Sequence, residues 1–392
     1  MLNTPFSPWP SFSEEEVEAV ARVLRSGRVN YWTGEEGRAF EEEFAAWCGV
    51  RHAVALANGT LALEVALRAL GLGEGDEVIV PARTFVATGS CVVACGARPI
   101  FADIDPDSQN ITAETIAAVL TPRAKAVICV HLAGWPCDMD PIVDLCKARD
   151  LYLIEDCAQA HGARYKGRSV GAIGDIGCWS FCQDKIITTG GEGGMVTTDR
   201  RDWFEAMWAL KDHGKSWRAV HQGERPSGFR WLHESIGGNY RMTEAQAAIG
   251  RIQLRRLPAW RAARIGNAEA VWRAARQIQG LRAPTPAADA EHAAYRAYVF
   301  VRPGALIDGW TRDRIVSAIE AEGVPCNMGS CSEIYLEKAF ADAGLGPARR
   351  LPVAKALGEE SVAFLTHPTL KASEVERACE ALRAVMARAT QG

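Results

Sequence analysis

Ala53-Val54-Ala55-Leu56-Ala57 is an apolar run that breaks at Asn58-Gly59-Thr60, and Thr60 to Leu70 then carries apolar residues at helical spacing. A strand, a tight break and a helix in that order are the first half of a crossover unit. The pattern recurs downstream. Glu77-Val78-Ile79-Val80 reads as a second strand closed by Pro81, and Val86 to Cys95 as a helix. Pro99-Ile100-Phe101-Ala102 and Ala126 to Val130 are further strands, with Ala113 to Leu120 helical between them. This alternation predicts an α/β fold with a mostly parallel central sheet flanked by helices. Ligands in such folds bind beyond the carboxyl ends of the strands.

A long helical region from Ala245 to Gln277 is expected to link two halves, and Gly280-Leu281-Arg282-Ala283-Pro284-Thr285-Pro286 reads as a boundary loop. Beyond it, Tyr298 to Arg302 is a strand, and Thr311 to Glu322 and Glu374 to Ala387 are helices. The division is therefore a large unit over residues 1–280 and a smaller C-terminal α+β domain over 281–392, as the length of 392 residues suggests. One early helix, Glu14 to Ser26, is expected to pack back on the small domain.

Composition narrows the classes. The chain is 48% apolar and 23% charged with a net charge of −4, so it has no basic excess to recruit nucleic acid. No run approaches the roughly 18 apolar residues of a membrane span. Met1-Leu2-Asn3-Thr4-Pro5-Phe6 lacks the features of a signal peptide, so a cytoplasmic location is expected. The twelve cysteines include no C-x-x-C pair, and no metal site is expected. Small buried hydrophobes account for them.

The chemistry gathers around one lysine. Ser180-Phe181-Cys182-Gln183-Asp184-Lys185-Ile186-Ile187-Thr188-Thr189-Gly190-Gly191-Glu192-Gly193-Gly194 delivers Lys185 from an apolar run into a glycine-dense turn, where the backbone can approach a ligand closely. Desolvation there is expected to lower the lysine's pKa toward the free amine that attacks a carbonyl. Upstream, Leu151-Tyr152-Leu153-Ile154-Glu155-Asp156 is an apolar strand ending in an acid. An amine and a buried carboxylate are what pyridoxal phosphate (PLP) needs: one holds the aldehyde as a Schiff base, the other keeps the ring nitrogen protonated.

Other residues fit the same cofactor, each with a plainer reading beside it. Gly59 and Thr60 open a helix where free N–H groups suit a phosphate, or they are an ordinary cap. Ser180 could meet the same phosphate. Phe85 is either a stacking face for a flat ring or a core residue. Gln159 is placed for a phenolic oxygen or is a loop amide. Glu155 would point away from Asp156 and is read as structural. The glycines could also serve a nucleotide, yet no Gly-x-Gly-x-x-Gly follows the first strand, and Gly214-Lys215-Ser216 has Ala209 where a phosphate loop needs its first glycine.

Taken together, these segments resemble the sugar aminotransferases of the PLP fold-type-I superfamily, the DegT/StrS group. The likeness is carried by residues 57–63, 81–88, 155–162, 180–194 and 238–248, and is weaker beyond about residue 275. It implies that Lys185 is the Schiff-base lysine and proton shuttle, and that Asp156 pairs with the pyridine nitrogen. Gln159 would contact the ring hydroxyl, Gly59, Thr60 and Ser180 the phosphate, and Phe85 the ring face. Asn239, with Arg241, would reach the phosphate of a neighbouring subunit, so a homodimer with shared active sites is implied. Some relatives carry histidine in place of the lysine and dehydrate; Lys185 favours transamination. The implied substrates are an amino donor, glutamate or glutamine, and a nucleotide-linked keto sugar for a surface polysaccharide or natural product. A keto-cyclitol aminotransferase, an aminobenzoate-type synthase and, in another class, a non-catalytic PLP-binding regulator are the alternatives. His131 is read either as lining the sugar pocket or as a satisfied structural histidine.

Overall fold

The computed structural model describes residues 5–223 and 229–390. Residues 1–4, 224–228 and 391–392 lie outside them. The main sheet has seven strands: β1 (His52–Leu56), β2 (Glu77–Pro81), β3 (Arg98–Ala102), β4 (Ala124–Val130), β5 (Tyr152–Asp156), β6 (Ile176–Ser180) and β7 (Gly194–Thr198). Their spatial order is β1-β7-β6-β5-β4-β2-β3. Pairings among β2 to β6 are parallel, while β7 runs antiparallel between β1 and β6. The α/β architecture with a mostly parallel central sheet is therefore present. Val78, Ile79, Val80, Val127, Ile128 and Ile154 are fully buried, as strands covered on both faces must be.

Six helices matter for the site: α1 (Glu14–Ser26), α2 (Glu36–Cys48), α3 (Gly59–Ala69), α4 (Ala87–Ala94), α5 (Glu244–Arg276) and α6 (Ala372–Ala389). The 33-residue α5 starts at a reciprocal cap, in which the Thr243 and Gln246 side chains each accept the other's backbone N–H. It runs on to a second, four-stranded antiparallel sheet made of β8 (Leu281–Arg282), β9 (Ala297–Val301), β10 (Cys326–Asn327) and β11 (Ser361–Phe364). Trp272 and Val271 of α5 join Val299, Val362, Phe364 and Leu382 in the core beneath that sheet.

Helix α1 departs from expectation. Its apolar residues Ala19 and Val23 pack against Ala248 and Ile252 of α5, not against the second sheet. Glu16 of α1 accepts from Gln253 at 2.8 Å and Arg256 at 2.9 Å, and this polar match fixes the pairing. The segment before α1 reaches the C-terminal part: Ser7 N donates to Glu374 at 2.6 Å and Thr369 donates to the Pro8 carbonyl at 2.7 Å.

One buried ion pair knits β1, α2 and the helix Arg201–Lys211. Lys211, with no exposed surface, donates to Glu41 Oε1 at 3.0 Å and lies 3.7 Å from the Tyr31 ring centroid. Glu41 also accepts from the Tyr31 hydroxyl at 2.9 Å and from Ala55 N at 2.9 Å. Removing one partner of such a pair strands the other in a low-dielectric core. Lys211→Met is expected to lower stability by about 3–5 kcal/mol, read as a shifted urea midpoint at unchanged slope.

Candidate active site

The ends of β5 and β6 and the start of α3 meet at one place. Asp156 is the last residue of β5 and is 6% exposed. Its Oδ2 accepts from the Thr88 hydroxyl at 2.9 Å and its Oδ1 from Ala158 N at 3.1 Å. Burial pushes its pKa up, against the pull of these donors and of Lys185 and His131. Among the described residues, no lysine or arginine forms an ion pair with it at 4.0 Å or less. This carboxylate is thus short of a cation at the position where a pyridinium nitrogen would supply one.

Its neighbour is the opposite case. Successive strand residues face opposite sides of a sheet, and Glu155 is saturated there. It accepts from His131 Nε2 at 3.0 Å and from the backbone N–H groups of Gly171 at 2.8 Å, Ile173 at 2.8 Å and Gly174 at 2.6 Å. These contacts outweigh burial and hold its pKa down. His131 Nδ1 accepts from Cys137 N at 3.0 Å while Nε2 faces Glu155, so both ring nitrogens are committed to structural partners. The plainer of its two readings is the one the structure supports.

Lys185 follows β6 with 16% of its side chain exposed. Its Nζ lies 3.5 Å from Asp184 Oδ1 and 5.2 Å from the Tyr295 ring centroid. The expected fall in its pKa is not found. Burial does disfavour the ammonium, but Tyr295, Asp184, Cys182 and Asp156 together outweigh burial and raise the pKa. Local sequence shows the apolar flank and cannot show the acids the fold gathers. The backbone of Lys185 is pinned as well, since Trp9 Nε1 donates to its carbonyl at 3.0 Å.

The phosphate candidates converge. A Cβ on Gly59 would lie 2.6 Å from the Ser180 Cβ, so the start of α3 and the end of β6 touch only because residue 59 is glycine. Asn58 caps Leu61 N at 2.9 Å, and the first N–H groups of α3, at Gly59 and Thr60, have no intrahelical acceptors. An added Cβ at Gly194 would strike the Asn58 carbonyl. The close approach that glycine allows there is to the chain itself, not to a ligand. Gln159 Oε1 accepts from Ala133 N at 2.8 Å, which leaves its NH₂ as the end free to meet a ring oxygen. Phe85 is 66% exposed, an unusual state for a phenyl ring.

Two further residues lie on the stretch that pairs with the end of β1, where Arg241 bridges to Leu56 and Tyr240 O accepts from Ala57 N at 2.8 Å. Asn239 is exposed and bridges to Asp212 on a separate loop. Arg241 is ion-paired to Asp212 Oδ1 at 2.7 Å with 13% of its side chain exposed. This pair orients its guanidinium within its own chain. Sequence reading missed Thr88, although it stands one helical turn after Thr84 in a quoted segment, and Trp9, for which no local signal exists.

A profile of the DegT/DnrJ/EryC1/StrS aminotransferase family matches residues 10–383. The chain is 37% identical over 361 residues to GDP-perosamine synthase of Caulobacter vibrioides, covering 91% of this chain and 92% of that one. It is 36% identical over 382 residues to UDP-N-acetyl-3-dehydro-α-D-glucosamine 3-aminotransferase of Acidithiobacillus ferrooxidans, covering 97% and 96%. An aminotransferase from Psychrobacter cryohalolentis of known structure is 56% identical, with a TM-score of 0.96 over 98% of this chain and 100% of that one. A PLP-dependent transferase of amino groups is the class that fold and site define. The chain belongs to the DegT/DnrJ/EryC1/StrS aminotransferase family.

His161 packs against Trp179 and Phe181, with ring centroids 5.2 and 5.6 Å away, and neither ring nitrogen has a partner. Burial, then the charges of Lys185 and Arg264, push its pKa from 6.5 down to about 3. Below pH 6.5 the unfolded imidazole takes up a proton that the folded one refuses, so this group withdraws stability as pH falls from 6.5 toward about 3. It contributes nothing to the slope above that window. His161→Phe is expected to flatten the fall in unfolding free energy between pH 6.5 and 4.5 by up to about 1.4 kcal/mol per pH unit, measured by urea titration.

Proposed function

We propose that this aminotransferase moves an amino group from glutamate, or glutamine, to a nucleotide-linked keto sugar in the cytoplasm, for a surface polysaccharide or a natural product. The observation that carries the reading is the buried, cation-short carboxylate of Asp156 beside Lys185 at the ends of neighbouring strands. The sugar nucleotides in the names of the two curated relatives support the substrate class.

When bound, PLP supplies an aldehyde that accepts the amino group and a pyridinium ring that draws off electrons. In this reading Lys185 Nζ holds the cofactor covalently between turnovers and, once released, moves the proton at the donor's α-carbon. Asp156 keeps the proton on the ring nitrogen. Gly59 N–H, Thr60 and Ser180 take the phosphate, Gln159 donates to the ring oxygen, and Phe85 covers one ring face and keeps water from it. Asn239 of a second copy completes the phosphate site, so the working unit is a homodimer. Residues 281–392, which hold all four strands of the second sheet, form the smaller domain.

Two experiments bear on this. Adding glutamate to PLP-loaded protein should abolish the visible cofactor band, and adding a UDP- or GDP-linked keto sugar should bring it back. Lys185→Ala should have neither the band nor turnover. A band that ignores glutamate would point to the PLP-binding regulator instead. Mixing inactive Lys185→Ala with weakened Asn239→Ala subunits should restore roughly a quarter of wild-type activity, because only hybrid dimers hold one intact site. No gain on mixing would remove Asn239 from the neighbour's site.

A further inference from the structure

Thr84 and Thr88 are buried polar residues with no part in the reaction described so far. They are 1% and 0% exposed. Their hydroxyl oxygens are 2.9 Å apart, and Thr88 Oγ1 lies 2.9 Å from Asp156 Oδ2. Neither caps the adjoining helix, whose N-cap is Val86. A hydroxyl has one proton to give. An ionised carboxylate can only accept, so the Thr88 proton points at Asp156 and Thr88 must then accept from Thr84. Both O–H dipoles run in the same sense, with their positive ends toward the carboxylate. Water does not reach either one to dilute the effect, and hydrogen bonds in such a chain polarise one another.

Among the side chains facing Asp156, those other than Thr88 do less to hold its charge. Cys91 on α4, Cys178 on β6 and the adjacent Cys157 are thiols whose pKa values burial raises, so they remain neutral. His131 has its ring nitrogens committed to Glu155 and Cys137 N, and Glu155 faces the far side of the sheet with its own donors. Ala158 N–H is the other donor, and Lys185 and then His131 act on Asp156 by charge. Against these stands burial, the largest influence on the group, which favours the protonated acid. A protonated Asp156 could not hold the ring nitrogen's proton in place.

We infer that the Thr84–Thr88 hydroxyl chain is a positioning device that keeps Asp156 ionised and so sets how firmly the cofactor's ring nitrogen holds its proton. The inference rests on the reading of Asp156 as the partner of that nitrogen. One loop then serves the ring twice, because Phe85, offered to its face, lies between the two threonines. Thr88→Val keeps the side-chain shape and removes the donor. Without it Asp156 becomes the stronger base, and the proton shared with the ring nitrogen shifts toward the carboxylate.

The test loads the full-length protein with ¹⁵N-labelled PLP and follows the ring-nitrogen resonance against pH. Thr88→Val should move the resonance of the singly protonated pair from the protonated-pyridine position toward the unprotonated one, because the ratio of nitrogen-bound to oxygen-bound proton falls about ten- to a hundredfold, the equivalent of a lost hydrogen bond to a charged group. Thr84→Val should shift it in the same direction by less, and Thr88→Ser should restore the wild-type resonance. An unchanged resonance in Thr88→Val overturns the inference. If that variant does not hold PLP, Thr84→Val decides, and an unshifted resonance there has the same meaning. Asp156→Asn separates the two layers. If it moves the resonance while the threonine variants do not, only the hydroxyl chain is wrong. If it too leaves the resonance unmoved, the role of Asp156 falls.

Discussion

A carboxylate with too few partners, shut inside the protein at the end of a central parallel strand, is the constraint on which the site depends. Burial of an ionised acid is unfavourable by several kcal/mol unless donors or a cation offset it. Asp156 has two donors and, beside it, Lys185; Glu155, one residue earlier, has four donors. The strand pleat sends the two acids to opposite faces, and the difference in their satisfaction separates a structural acid from one that awaits a ligand. Neither residue type nor burial alone would make that distinction.

The rest of the architecture can be understood as holding Lys185 opposite that acid. The lysine's backbone is tied to Trp9, while Thr188 N donates to Gln253 of α5 at 2.9 Å. Tyr295 donates to Asp184, and Arg296 lies 3.9 Å from the same carboxylate. The segment ahead of α1, the long helix and the chain just before β9 therefore all anchor one loop. The glycines of that loop let β7 press against the start of α3, which brings the β6 end and the phosphate candidates into register.

Much of this was legible in the residue order. Strand–helix alternation marked β1 to β4 and α3 to α5 within a residue or two, because apolar periodicity and capping are local properties. The acid at 156 and the lysine at 185 stood out for the same reason. What stayed hidden depends on residues distant in sequence. Strand β6 was read as no more than an apolar approach to Lys185, and nothing local says that β7 turns antiparallel between β1 and β6. The partner of α1 was misjudged because Ala19 and Val23 would suit any small apolar surface. Lys185 was expected to lose its proton readily, since its apolar flank is visible and Tyr295, more than a hundred residues on, is not. The Asp212–Arg241 pair was invisible in the same way.

Strand β1 lies at one margin of the main sheet, and its single strand neighbour is β7. Residues 52–56 therefore leave the ribosome long before residues 194–198, the segment that will shield them. The edge of the sheet at β1 can therefore be completed only after the Lys185 loop, which precedes β7, has been made.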